Sequence, residues 1–275
     1  MQAYSTIKAK LHLINQKVYR FGFLQYMEKL TAIIPVFNEQ DTIERAIVSV
    51  LFADEILIVD SFSTDLTLSI AEKYDVKIIQ RDYEYSASQK NWAIPQASNN
   101  WILILDADEV IGSSLREEIQ SILNKKSTKT GYWIYRNNHF MNQAIKYSGW
   151  QNDKVVRLFQ RDLCRYEDKR VHAEIITSGD LGFLNSKIDH FTYKSLRQYV
   201  EKLNRYAALQ AIDYDKITDK ITAYHLLLKP LWRFLKHFII QKGYKDGVAG
   251  TVICFLQAYA VVMRYANLYL LRKKN

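Results

Sequence analysis

The segment Trp101-Ile102-Leu103-Ile104-Leu105-Asp106-Ala107-Asp108-Glu109 runs from five apolar residues straight into three carboxylates. The apolar run is too short to span a membrane and suits a buried strand. Three acids at the end of such a strand repel one another, and stripping them of water without a partner is costly. A divalent cation is one partner, because hard cations take oxygen ligands. The positive end of a helix dipole is another. Asp-x-Asp at this strand end therefore reads either as a metal clamp for phosphates or as the start of a helix.

The pattern repeats upstream. Residues 31–37 (TAIIPVF) and 55–59 (EILIV, followed by Asp60) read as strands, as do 76–80 (VKIIQ). Asn38 can cap a helix through about Leu51, and Ser63, Thr64 and Asp65 can cap one through Tyr74. Ser114 and Glu117 have the spacing of a capping box for the helix after the acids. Strand–helix alternation predicts an α/β fold with a mostly parallel sheet flanked by helices. In open sheets of this kind, ligands sit beyond the carboxyl ends of the strands. Three of those ends carry polar groups: Pro35–Glu39, Asp60-Ser61 and Asp106–Glu109. No G-x-G-x-x-G or Walker sequence is present, so a phosphate ligand would depend on a metal at Asp106 and Asp108.

After Lys126 the composition shifts. Residues 131–140 and 153–160 read as strands rich in Tyr, Arg and Asn, and a polar region with His172, Glu174 and His190 follows. From about Leu196 the chain reads as helical. This predicts three parts: an amphipathic helix over 1–29, an α/β domain over 30–195 and a helical region over 196–275. In the first part, Ile7, Leu11, Ile14, Val18 and Phe21 share a face, which either packs on the main domain or lies on a membrane. In the last part, Leu227, Leu231, Phe234 and Phe238 share one face and Lys229, Arg233 and Lys236 the opposite one. Residues 248–263 are apolar but shorter than the ~20 residues of a spanning helix. With the closing Arg272-Lys273-Lys274, the tail reads either as an interfacial helix on an acidic membrane or as a packed helical subdomain with a solvated basic face.

The 275 residues are 48% hydrophobic with only 9 Gly and 3 Pro, which supports a full core and no long flexible linker. Cys164 and Cys254 form neither a metal spacing nor a disulfide framework, which fits a reducing cytoplasm. The first 30 residues lack the continuous apolar core of a secretory signal. The net charge of +9 calls for an anionic partner. Nucleic acid is not expected, because the basic residues are dispersed and no recognition motif is present.

Four motifs occur in one order and spacing: Ile33-Ile34-Pro35-Val36-Phe37-Asn38-Glu39, Asp60-Ser61-Phe62-Ser63-Thr64-Asp65, Gln89-Lys90-Asn91 and Asp106-Ala107-Asp108-Glu109. Together they resemble the family 2 glycosyltransferases of the GT-A fold. Gly149-Trp150, Val156-Arg157-Leu158-Phe159, Val171-His172-Ala173-Glu174, His190-Phe191 and the tail around Lys229–Phe234 and Gly243–Gly247 resemble a bacterial subgroup. That subgroup comprises the lipopolysaccharide and lipooligosaccharide inner-core β-glucosyltransferases. The resemblance covers about residues 30–270.

The resemblance implies that Pro35, Phe37, Asn38, Glu39 and Asp60 contact the base and ribose of a UDP-sugar, with Asp60 accepting from uracil. Lys90 would offset the diphosphate charge, and Asp106 would meet the ribose or the metal shell. Asp108 would be the principal ligand of Mg²⁺ or Mn²⁺, with His190 or His172 completing the site or binding the acceptor. Glu174 is expected to be the general base, with Asp153 and Asp168 as alternatives. Trp150 is expected either to stack on a sugar or to sit in the core. Phe62 stands where glycine is common. The implied acceptor is a heptose-containing glycolipid at the cytoplasmic surface of the inner membrane, where the enzyme would be peripheral. A polyprenyl-phosphate or capsular acceptor is the alternative, and a nucleotide-sugar-binding scaffold the non-enzymatic one.

Overall fold

The computed structural model describes residues 27–125, 127–140, 143–170, 173–193 and 195–274. The helix expected over 1–29 lies, apart from Met27–Lys29, outside the described residues, as does His172.

Strands β1 (Leu30–Val36), β2 (Glu55–Asp60), β3 (Lys77–Gln80) and β4 (Trp101–Ile104) alternate with helices α1 (Ile43–Ser49), α2 (Thr67–Ala71) and α3 (Ser86–Ala93). Next come β5 (Glu109–Ile111), α4 (Ser113–Leu123), β6 (Gly131–Phe140), β7 (Gln143–Ala144) and β8 (Lys154–Gln160). A ribbon of β9 (Cys164–Tyr166) and β10 (Ile175–Thr177) precedes β11 (Leu181–His190). The main sheet runs β3-β2-β1-β4-β8-β6-β11-β5, with β7 paired to β6. Strands β1–β4, β6 and β11 point one way, while β8 and β5 run against them. The expected mostly parallel sheet is therefore present, with antiparallel insertions confined to its second half.

Both faces of the first half are buried, which is why its strands read as nearly continuous apolar runs. Ile34, Ile58, Leu103 and Leu105 pack on one face against Ile43 and Ile47 of α1 and Leu115 and Ile119 of α4. Ile33, Leu57, Ile102 and Ile104 pack on the other against Ala93 and Ile94. The period of two along each strand assigns side chains to the two layers.

Several expected boundaries move for local reasons. Asn38 caps no helix. It has φ 55°, and its Oδ1 accepts from the Thr64 amide at 2.8 Å, so α1 begins only at Ile43. The α2 helix is a single short turn, Thr67–Ala71, and Asp65 accepts from the Thr67 amide at 2.9 Å at its start. The Ser114–Glu117 capping box does not form, since α4 starts at Ser113 and places Ser114 within its first turn. The polar region after 160 contains the ten-residue strand β11, which ends at His190. Its Asn, Ser, Lys and Asp residues hid the alternation.

The helical end is α5 (Leu196–Asp215), α6 (Lys229–Leu235) and α7 (Gly247–Lys274). One π-helical turn precedes α6 (Tyr224–Leu228) and another follows it (Lys236–Ile240). The apolar face expected here is split: Leu227 and Leu231 are exposed, while Phe234 and Phe238 are half-buried. Leu227, Leu228, Leu231, Trp232, Ile239 and Ile240 are all more than half exposed, whereas Arg233 turns inward and Pro230 and His237 are buried. The helix that carries the apolar stretch is longer than residues 248–263: Gly243–Lys273 is helical and contains an 18-residue window of mean hydropathy 1.5, long and apolar enough to cross a membrane by length and composition alone. A third of that window is buried within the protein, against α5 and α6.

Candidate active site

The topology explains why distant residues converge. Parallel β1, β2, β4, β6 and β11 end at the same edge of the sheet, and antiparallel β8 and β5 begin there. Register places Val36 beside Asp60, Asn138 beside His190 and Glu109 beside His190. The edge therefore collects Pro35, Val36, Phe37, Glu39, Ser61, Asp106, Asp108, Asn138, Asp153 and His190. They line a cavity of about 960 Å³, closed on its far side by α5, α6 and α7.

Asp106 is bound by two cations. Lys90 Nζ lies 2.9 Å from its Oδ1, and Arg157 donates to its Oδ2. Burial works against this charge, but Arg157 and Lys90 outweigh it and hold the carboxyl well below the usual range. Arg157 also donates to the fully buried Glu109 at 2.7 Å, and Glu109 Oε2 accepts from the Asp106 amide at 3.0 Å. Asp106, expected beside a ribose or in a metal shell, is thus engaged by protein cations.

Asp108 is placed differently. Asn138 donates to Asp153 Oδ2 at 2.8 Å, which turns its Oδ1 toward His190. His190 donates from Nδ1 to that oxygen at 2.6 Å, leaving Nε2 3.4 Å from Asp108 Oδ2. Carboxylate oxygen and imidazole nitrogen suit a Mg²⁺- or Mn²⁺-type ion, and an oriented histidine is how proteins prepare such ligands. Among the described residues no group of three such ligands converges. The donor set fits an ion shared with a diphosphate.

Asp153, on the same wall, accepts two hydrogen bonds from Arg136, at 2.7 and 3.0 Å. Burial raises its pKa, but the Arg136 hydrogen bonds and charge prevail and leave it below the usual range. Glu174 is exposed and lines a neighbouring cavity of about 290 Å³ that shares Lys90, Asp106 and Arg136 with the main one. Asp168 accepts from Tyr85 at the surface. Trp150 lines the main cavity and packs edge-on against Phe140 and Tyr199.

Of the nucleotide-side residues, Pro35, Phe37 and Glu39 line the cavity. Asp60 is fully buried and instead accepts from the Ser63 amide at 3.1 Å and Gln80 at 2.9 Å. Its neighbour Ser61 faces the cavity. Asn38 is exposed and ties its loop to Thr64. Phe62 has φ 61°, in the left-handed region that favours glycine. Arg136 and Arg157 were not singled out by sequence. A lone arginine within Val155-Val156-Arg157-Leu158-Phe159 was the available signal, since a charge in a buried strand requires carboxylate partners.

The carboxyl edge of the sheet thus gathers an Asp-x-Asp, a histidine and a lysine around one cavity. The model of the family described as Glycosyl transferase family 2 matches residues 31–170, and the chain belongs to that family. A protein of Rickettsia felis described as an uncharacterized glycosyltransferase is 31% identical over 268 residues, covering 90% of this chain and 93% of its own. The Rhizobium meliloti lipopolysaccharide core biosynthesis glycosyltransferase LpsC is 26% identical over 251 residues, covering 86% and 93%. The crystal structure of Staphylococcus aureus TarS (residues 1–349) with UDP-GlcNAc aligns with a TM-score of 0.48 and 15% identity, covering 90% of this chain and 91% of that one. The chain is a glycosyltransferase with a GT-A fold.

Proposed function

We propose that the enzyme is an inverting, metal-dependent transferase that moves glucose from UDP-glucose onto a heptose of a lipopolysaccharide-type inner core, at the cytoplasmic face of the inner membrane. The observation that carries this reading is the single cavity joining the Pro35–Glu39 loop, the Asp108–His190 pair and the C-terminal helices. The similarity to LpsC supports the class of acceptor.

In this reading the base and ribose rest between the Pro35–Glu39 loop and the Ser61–Ser63 turn, whose shape Asp60 holds. Lys90, fixed by Asp106, faces the diphosphate. Asp108 and His190 Nε2 would hold Mg²⁺ or Mn²⁺, which when bound offsets the charge of the UDP leaving group. Glu174 takes the proton of the attacking hydroxyl, which approaches C1 from the face opposite UDP. Its carboxylate makes no hydrogen bond among the described residues, whereas Arg136 depresses the basicity of Asp153. The exposed apolar row from Leu227 to Ile240 rests on the membrane, with Lys236 beside the headgroups.

Purified enzyme incubated with Mn²⁺, several UDP-sugars and extracted glycolipids tests the reading. Mass analysis should show one hexose added to a heptose-containing lipid, with UDP-glucose as the preferred donor, and Asp108→Asn should abolish it. Equal turnover by Asp108→Asn would overturn the metal assignment. Addition to a polyprenyl phosphate instead would favour the alternative acceptor.

A further inference from the structure

Two arginines in the helical half of the cavity are positioned only by neutral groups. His237 donates from Nδ1 to the Ser148 carbonyl at 2.9 Å, so its Nε2 must accept, and Arg233 donates to it at 3.2 Å. Arg264 is 9% exposed, donates from Nε to the Gln210 amide oxygen at 2.9 Å, and lies 4.5 Å from the centre of the Tyr214 ring. Both arginines line the cavity, and neither has a carboxylate partner among the described residues. Arg136 and Arg157, on the sheet side, each have two.

Unpaired charges of one sign are costly to bury. Burial, and then the neighbouring Arg264, push the Arg233 pKa down, so the two guanidiniums oppose each other. Burial likewise lowers that of Lys202, on the same wall, despite the attraction of Asp108. The missing element is an anion. In the reading above the donor diphosphate is served by Lys90 and the Asp108–His190 pair, whereas Arg233 and Arg264 line the cavity from the C-terminal helices.

We propose that Arg233 and Arg264 form an oxyanion subsite, binding a phosphate or carboxylate carried by the acceptor. This rests on the transferase reading above. The geometry suits a membrane-borne acceptor, since the helical hairpin presents Leu231 and Trp232 to the outside and Arg233 to the cavity. Guanidinium forks match both oxyanions, and no lysine could reproduce a two-point contact.

The test uses the full chain, the Arg233→Gln/Arg264→Gln double variant and the two single Arg→Lys variants, which keep charge and bulk. Millimolar inorganic phosphate should raise the Tm of the wild type and not that of the double variant, while UDP stabilises both equally. With extracted glycolipid, the acceptor KM of the double variant should rise about tenfold or more, as expected for lost charge-assisted hydrogen bonds. Its donor KM should be unchanged, and the lysine variants should fall between. An unaltered phosphate response or acceptor KM overturns the proposal, as does loss of the UDP response, which would put the arginines on the nucleotide. Weaker sedimentation with phosphatidylglycerol vesicles at unchanged acceptor KM also overturns it, by assigning the anion to a lipid headgroup. If UDP stabilises no variant, including the wild type, the donor reading fails, while the phosphate response still reports on the arginines. Should the double variant not fold, the lysine variants carry the same comparison.

Discussion

His190 presents Nε2 to Asp108 at 3.4 Å only because its other ring nitrogen donates to Asn138. Asn138→Ala removes that restraint without touching either of the proposed metal ligands. Mn²⁺ affinity should weaken about 10- to 100-fold, the usual effect of losing the hydrogen bond behind a metal-binding histidine. Titrating Mn²⁺ against activity checks this, and activity should recover at high Mn²⁺.

Arg157 spans Asp106 and the fully buried Glu109. Arg157→Met leaves Glu109 dependent on Arg136 at 3.4 Å, and should cost about 3–5 kcal/mol in urea unfolding. The pH dependence should change as well. The folded pKa of Asp106 is depressed, so its contribution is complete above the unfolded value of about 3.9 and is lost as pH falls through the folded one. Wild-type stability should therefore drop steeply on acidification below about pH 4. The drop should be shallower in Arg157→Met, where Asp106 titrates nearer its ordinary value.

Phe62 occupies a left-handed conformation with half its surface exposed. Phe62→Gly relieves the strain while loosening the unfolded chain. The net change in denaturant unfolding should lie between zero and a gain of about 1 kcal/mol. A clear loss would mean that the ring contributes contacts worth more than the strain.

Leu231→Ser/Trp232→Ser removes two exposed apolar side chains from the helical hairpin. If that face meets lipid, binding to anionic vesicles should weaken by more than about tenfold, given roughly 1.5–3 kcal/mol per buried side chain. Thermal stability should hold. Undiminished vesicle binding would exclude this face as the contact.

The first half of the fold was legible because β1, β2 and β4 are buried on both faces and announce themselves as apolar runs closed by acids. The second half was harder. Strand β11 mixes Asn, Ser, Lys and Asp into its alternation, and β9 and β10 are only three residues each. The resemblance gave Asp106 and Asp108 different roles, but the residues alone did not say why. They differ because β8 delivers Arg157 beneath the first, and β6 and β11 orient a histidine beside the second. Such distinctions depend on which strands end up adjacent, and local pattern does not encode that. The orientation of the tail stayed open for a similar reason: helical periodicity separates two faces but does not say which one meets the protein.

Asp246 accepts from the Lys146 and Tyr147 amides and the Ser148 hydroxyl, at 3.0, 2.9 and 2.7 Å, across about a hundred residues of chain. Gly149, with φ 89°, fits beneath His237 where a Cβ would come within 2.4 Å. Closing a loop of about a hundred residues costs entropy, which these contacts offset together with the packing of the tail on the sheet. Sheet and tail should consequently melt as one cooperative unit. Amide exchange at Tyr147 should track global unfolding, and a chain cut short at Leu226 should lose its thermal transition altogether rather than yield a smaller active enzyme.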